Sequence, residues 1–313
     1  MFWPLVAVLG PTGSGKSELG LRICESFDGE AVNCDSLQLY RYFDVGTAKL
    51  GAAERREIAH HLIDILEPAG LFTAGEYARA GRQVLEEIRG RKRLPVLVGG
   101  TGFYLRALLE GLSPAPVRDP DLRAGLLEHE RRRPGFLHRV LGRFDPAAAA
   151  RIHANDLPKL TRAVEICLLA GKQASSVQAI PRQALKGFRA LKLGLNPLRE
   201  TLSRVLDERA RRMFREGLTE EVRSILDRGV PPTAKPFESL GYKQALQCLR
   251  GEITPEQAVA DTQTATRRYA KRQLTWFRRE KDVIWLEGFG NDPHIVERAL
   301  GEVSTFLKSA GEP

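Results

Sequence analysis

The sequence predicts an α/β protein, a parallel sheet flanked by helices with an α-helical subdomain inserted into it, and three features carry that expectation. Residues 10–17, Gly-Pro-Thr-Gly-Ser-Gly-Lys-Ser, fit a G-x-x-x-x-G-K-[ST] phosphate-binding loop at every fixed position. The loop joins an apolar run, Phe2 to Leu9, to a periodic stretch, Lys16 to Phe27, that carries Leu19, Ile23 and Phe27 on one helical face. A second apolar run, Leu94 to Val98, passes through Gly-Gly-Thr-Gly into a helical stretch from Tyr104 to Glu110. These two units make the core P-loop NTPase-like. The third feature is the cluster Pro114, Pro116 and Pro120, which leads out of the core into arginine-rich helical sequence.

The bulk numbers suit such a fold. A chain of 313 residues with 42% hydrophobic and 28% charged residues has enough apolar sequence for a large core. No run approaches about 18 consecutive apolar residues, so no membrane span is expected and the chain is read as cytoplasmic. Cys24, Cys34, Cys167 and Cys248 are scattered without a C-x-x-C pair, which argues against a zinc site or a disulfide framework. The net charge of +9 permits a polyanionic partner, and its distribution is uneven. From Arg267 to Lys281 seven basic residues face one acid, Glu280.

Taken in order, the first strand and helix frame a phosphate cradle made by Gly10, Pro11, Thr12, Gly13, Ser14, Gly15, Lys16 and Ser17. Backbone N–H groups and the positive helix end face an anion there, Lys16 adds a point charge, and the Ser17 hydroxyl can ligate Mg2+. The next strand ends in Asp35-Ser36-Leu37-Gln38. In a parallel sheet these residues share the loop's edge, so Asp35, Ser36 and Gln38 either face bound phosphates or, for Asp35, cap the next helix. A loop with Gly46 and Thr47 follows, then His60 and His61, whose adjacency suits a structural or RNA-facing role better than a metal site. Thr73 to Arg89 reads as an amphipathic helix with Thr73 and Glu76 at capping-box spacing.

The strand Leu94 to Val98 ends without the acid that nucleoside-triphosphate hydrolases place there, which weakens an ATPase reading and leaves Thr101 as the polar group beside the cradle. Residues 118–153 are expected to be the inserted helical subdomain, with 1–117 and 154–313 forming the core. Arg131, Arg132 and Arg133 are either a solvated face or an anion contact. A helix from Asn155 is expected back in the core, followed by a strand at Leu191 to Leu195, helical sequence over 198–229 containing Arg209 and Arg212, and a polar turn, Ser239 to Gln244. The stretch Thr266 to Lys281 interleaves Tyr269, Trp276 and Phe277 with its cations. That pattern suits stacking on single-stranded RNA, or the aromatics are a core face behind a basic surface.

Several ordered motifs then carry a resemblance: the phosphate loop, Asp35-Ser-Leu-Gln38-Leu-Tyr, Gly46-Thr-Ala-Lys49, Val98-Gly-Gly-Thr101-Gly-Phe-Tyr104, Leu108-Leu-Glu-Gly-Leu112, Arg151-Ile-His-Ala-Asn155-Asp156, Gly241-Tyr242-Lys-Gln244 and Ala270-Lys-Arg272-Gln273-Leu-Thr-Trp276-Phe277. Over about residues 4–286 the chain resembles the bacterial tRNA dimethylallyltransferases, also called tRNA isopentenyltransferases. The resemblance implies transfer of a dimethylallyl group from dimethylallyl diphosphate to N6 of the adenosine immediately 3′ of the anticodon. It implies Asp35 as general base, Thr101 near the reacting centre, Lys16 and Ser17 on diphosphate and Mg2+, and a helical insertion that grips the tRNA anticodon stem-loop. It further implies tRNA contacts at Asp35, Ser36, Leu37, Gln38 and Thr101, at Arg123, at Lys159, Leu160, Thr161, Arg162 and Ala163, at Tyr242, Lys243 and Gln244, and at Arg272. Position 159 carries lysine where some relatives carry glutamine. The enzyme is expected to be monomeric. A small-molecule kinase and a non-catalytic RNA-binding protein stay open as readings of the motifs alone.

Overall fold

A computed structural model describes residues 2–310, which fall into two compact units, 2–109 with 185–310, and Glu110–Ala184. The first unit is built on a six-stranded, wholly parallel sheet: β1 (Trp3–Leu9), β2 (Gly29–Asn33), β3 (His60–His61), β4 (Leu94–Val98), β5 (Phe188–Leu195) and β6 (Val283–Leu286), in the spatial order β3-β2-β4-β1-β5-β6. The central strand is β1, with Val6 opposite Val96 of β4 on one side and Leu191 of β5 on the other. Its residues Leu5 to Val8 are fully buried, as a strand covered on both faces must be. After β1 the chain runs out on one side to β2 and then β3 at the edge, returns to β4 between β2 and β1, and crosses to the other side with β5 and β6. Loops at the carboxyl ends of β1, β2 and β4 therefore share one edge beside that crossover, the place where open α/β sheets bind ligands.

Helices α1 (Lys16–Ser26) and α2 (Ala74–Gly90) both lie against β2 and β4, and α3 (Gly102–Leu109) packs on α2. The capping box is present: Thr73 Oγ1 accepts from Glu76 N and the Glu76 carboxylate accepts from Thr73 N. Ile23, Leu19, Val6, Val96 and Leu193 meet in one apolar core.

The inserted unit is larger than its proline-marked start suggests. It contains α4 (Pro120–Arg132), α5 (Phe136–Phe144), α6 (Pro146–Arg151), α7 (Leu157–Ala170) and α8 (Ala174–Ala179). The helix from residue 155, expected in the sheet unit, is α7, and its Leu160, Val164 and Ile166 pack with Leu126, Leu137 and Leu141. α7 completes the apolar core that α4, α5 and α6 share, and the compact unit runs over 110–184, beyond the 118–153 expected for the insertion.

Beyond β5 the helical sequence of 198–229 is two helices, α9 (Arg199–Arg215) and α10 (Leu218–Asp227), separated by Gly217 at φ 98°. α11 (Tyr242–Leu249) follows, then α12 (Pro255–Phe277), which starts eleven residues earlier than its basic stretch indicates because Thr254 caps it and Pro255 opens it. α13 (Pro293–Ala310) packs Ile295, Ala299 and Val303 onto the sheet core. None of the helices among the described residues is long and apolar enough to cross a membrane.

Candidate active site

The phosphate loop is held open from within. Gly13 and Gly15 have φ of 76° and 85°, and a Cβ on Gly15 would stand 2.8 Å from Gly290 N. Ser14 is fully buried, donating its hydroxyl to Pro11 O at 2.8 Å, and its carbonyl accepts from Gly290 N at 2.8 Å. Lys16 donates its ammonium to Pro11 O at 2.6 Å. Burial lowers the pKa of this lysine from its ordinary 10.5 to about 7; Asp35 pulls it up and Arg209 pushes it down. Three charged groups thus face one another here.

Asp35 enters this edge from β2. Its Oδ1 accepts from Leu37 N at 2.9 Å, while Oδ2 takes no hydrogen bond from the described residues. Residues 36–39 form bends and a turn rather than the helix expected after Asp35, so this bond is that of an Asx turn and not of a helix cap. The segment is tied to the β4 turn: Ser36 N donates to Thr101 Oγ1 at 3.1 Å, and Thr101 N donates to Cys34 O at 3.1 Å. The predicted catalytic pair Asp35 and Thr101 therefore sits on one frame beside Lys16. Gln38 donates its amide to Thr47 O at 3.3 Å.

Sequence reasoning noted Arg209 only as part of a basic turn. The structure puts its guanidinium in the site, donating to the same Thr47 O at 3.3 Å and interacting with Asp35. The signal was available: Arg209 follows Leu202 and Leu206 at helical spacing, in line with the buried stripe of α9. The Gly46-Thr-Ala-Lys49 motif serves this loop from behind. Lys49, with its side chain only 3% exposed, bonds Tyr40 O, Asp44 and Asp64, each within 2.8 Å. A Cβ on Gly46 would run into the Tyr242 ring at 2.4 Å.

The residues assigned to tRNA by resemblance divide sharply. Tyr242 is fully buried, and its hydroxyl accepts from Gly46 N at 3.1 Å and donates to Glu221 at 2.5 Å. Its side chain is a core strut, not a surface contact. Gln244 is buried and caps Gly241 N, whereas Lys243 is exposed. In the inserted unit Leu160, Thr161 and Ala163 are buried in the helical core, so their side chains cannot touch RNA, while Lys159 is exposed beside Asp156. Arg123 and Arg162 both pair with the fully buried Glu165, at 3.1 and 2.6 Å. On α12, Lys271 and Arg272 are exposed and Tyr269 is half-buried beneath Arg272, 5.7 Å from its ring. Phe277 is core, and Trp276 packs against Phe103 under the Arg106 guanidinium. Phe277 takes the core role of the two expected, and Tyr269 and Trp276 are only partly exposed, each beneath an arginine.

Among the described residues no group of three or more His, Cys, Asp or Glu side chains could hold a metal ion. The exposed Ser17 hydroxyl is one neutral oxygen at the mouth of the loop. That donor set fits Mg2+ carried chiefly by ligand phosphates and water, the usual habit of this ion.

Residues 38–280 match the family described as IPP transferase. The chain belongs to that family. Among curated relatives of the IPP transferase fold, it is 59% identical over 304 residues to a tRNA dimethylallyltransferase of Solibacter usitatus, covering 97% of this chain and 99% of that one. It is 50% identical to the same-named protein of Koribacter versatilis, covering 96% and 98%. Two solved structures agree. The tRNA isopentenylpyrophosphate transferase of Bacillus halodurans superposes with a TM-score of 0.71 at 34% identity, over 98% of this chain and 96% of that one. A eukaryotic dimethylallyltransferase acting on tRNA gives 0.82 at 26% identity, over 98% and 80%.

Proposed function

We propose that this IPP transferase moves a dimethylallyl group from dimethylallyl diphosphate to N6 of the adenosine immediately 3′ of the anticodon in tRNA, as a monomeric cytoplasmic enzyme. The observation that carries the reading is the convergence of the Asp35 carboxylate with the cations of Lys16 and Arg209 at one sheet edge. An exocyclic adenine nitrogen is a weak nucleophile, because its lone pair is delocalised into the ring. It needs a proton acceptor on one side and a stabilised leaving group on the other. Asp35 Oδ2 supplies the first, while Lys16, Arg209 and the N–H groups at the start of α1 supply the second.

The step balances simply. N6 forms a C–N bond to the allylic C1, the C1–O bond breaks with its electrons leaving on diphosphate, and the N6 proton passes to Asp35. Mg2+ held with the diphosphate by Ser17 would add charge neutralisation at the leaving group. The relatives' names support tRNA as the acceptor, and the exposed Lys271 and Arg272 supply cations for its phosphates.

A phosphoryl-transfer reading has less behind it, since β4 runs from Val98 into Gly99, Gly100 and Thr101 with no carboxylate for a triphosphate's metal. Parallel incubations of unmodified tRNA with carbon-labelled dimethylallyl diphosphate and with γ-labelled ATP decide between them. Label is expected on RNA in the first and on nothing in the second; the opposite pattern refutes prenyl transfer.

A further inference from the structure

Gln273 lies on the inward face of α12 and is 6% exposed. Its amide has two partners from distant parts of the chain. Oε1 accepts from Thr12 N, in the phosphate loop, at 2.8 Å. Nε2 donates to Gly100 O, in the turn after β4, at 2.9 Å. Gly100 leaves the space for this, because a Cβ there would stand 2.3 Å from Gln273 Nε2. The next residue, Thr101, accepts from Ser36 N and so carries the restraint into the Asp35 segment.

One side-chain amide therefore joins the two walls between which the leaving group and the acceptor nitrogen would meet. Each of its polar ends is thus engaged by main chain, Oε1 by Thr12 N and Nε2 by Gly100 O. Both partners are backbone groups, so the contact reports main-chain position rather than side-chain identity. An amide suits it: Thr12 offers a donor and Gly100 an acceptor, and a carboxamide answers them with two separate atoms, its oxygen and its nitrogen. Glutamine has the reach from a helix that asparagine lacks.

We propose that Gln273 is a positioning residue for alkyl transfer, setting the spacing of the phosphate loop against the Thr101 turn without touching either substrate. The proposal rests on the prenyl-transfer reading above for its kinetic part alone. Misplacement of reacting groups by about 1 Å costs roughly 100-fold in rate. The variant Gln273→Met keeps the length of the side chain and removes both hydrogen bonds.

The expected result is a kcat for prenyl transfer lower by about 100-fold, a weaker affinity for inorganic diphosphate by about tenfold through lost preorganisation, and a KM for tRNA within about twofold of the parent because the exposed face of α12 is untouched. Gly100→Ala pushes the same amide aside from the other partner and is expected to reproduce both losses. Because the two substitutions break one contact, the double variant is expected to be no worse than either single one. Gln273→Glu keeps the acceptor for Thr12 but sets a carboxylate oxygen against Gly100 O, and is expected to fall with the Met variant.

Folded variants with parental kcat and diphosphate affinity overturn the proposal, as do losses that multiply in the double variant. If Gln273→Met does not fold, Gly100→Ala alone decides by the same two readouts. Should the parent protein transfer no prenyl group, the functional reading fails while the diphosphate titration still decides the positioning role.

Discussion

The Tyr242 hydroxyl donates to the Glu221 carboxylate at 2.5 Å and accepts from Gly46 N at 3.1 Å, deep in a cluster where the tyrosine ring also packs on Phe43. Glu221 accepts from Asp44 N and Val45 N as well, so one half-buried carboxylate and one buried phenol hold the loop that presents Thr47 to Gln38 and Arg209. Burial raises the pKa of Glu221 above its usual range.

Tyr242→Phe leaves a half-buried amide and a half-buried carboxylate each short of a partner. Stability should fall by about 1–3 kcal/mol, read from urea denaturation. Affinity for tRNA should not change at protein concentrations where the variant is folded. A large loss of RNA affinity with unchanged stability would return Tyr242 to the surface role that its motif suggested.

Lys16 sets a pH dependence. With a pKa of about 7 in the free site, it is charged below that pH and increasingly neutral above it. A bound diphosphate favours the ammonium, so above pH 7 binding takes up a proton and affinity falls, by up to about tenfold per pH unit. The fall should be absent in Lys16→Met, measured by calorimetric titration with dimethylallyl diphosphate between pH 7 and 9. Stability has the opposite sign. The folded pKa lies below the unfolded one, so the penalty for burying this charge is full below about pH 7 and is relieved as pH rises toward 10.5.

Arg272 is exposed on α12, above Tyr269. Arg272→Ala should weaken tRNA binding and reduce the slope of log K against log salt by about one unit. An unchanged slope places this helix away from RNA.

Glu165 is fully buried in the inserted unit. Burial opposes its charge, yet hydrogen bonds from Arg162 and Asp119 N hold its carboxyl below the usual range. Glu165→Ala strands Arg123 and Arg162 beside an apolar core. The cost should be about 3–5 kcal/mol, seen as earlier unfolding of this unit by hydrogen exchange or calorimetry.

Much of the sheet unit was legible because its strands are buried on both faces and read as continuous apolar runs, each ending in a glycine-rich or polar turn. The phosphate loop, Asp35 and Thr101 could be placed at one edge from topology alone. Three things could not. β3 is only two residues long and carries His60 and His61, so no run marks it. The return of α7 to the inserted unit depends on which apolar face it meets, which periodicity does not specify. Buried motif residues such as Tyr242 look like contacts in a sequence, because a polar aromatic in an ordered motif carries no sign of whether its hydroxyl faces water or a carboxylate. Arg209 shows the converse case, a cation hidden in an apolar stripe that belongs to the site.

The central claim is a proton-coupled prenyl transfer onto adenosine with Asp35 as acceptor. Its most direct test is mass spectrometry of nucleosides digested from unmodified tRNA after incubation with dimethylallyl diphosphate, Mg2+ and either the parent enzyme or Asp35→Asn. The account predicts a five-carbon addition to the adenosine 3′ of the anticodon with the parent, and a single-turnover rate lower by about 100-fold or more with Asp35→Asn at nearly parental tRNA affinity. No added five-carbon unit with the parent, or an Asp35→Asn rate close to the parent's, would contradict it.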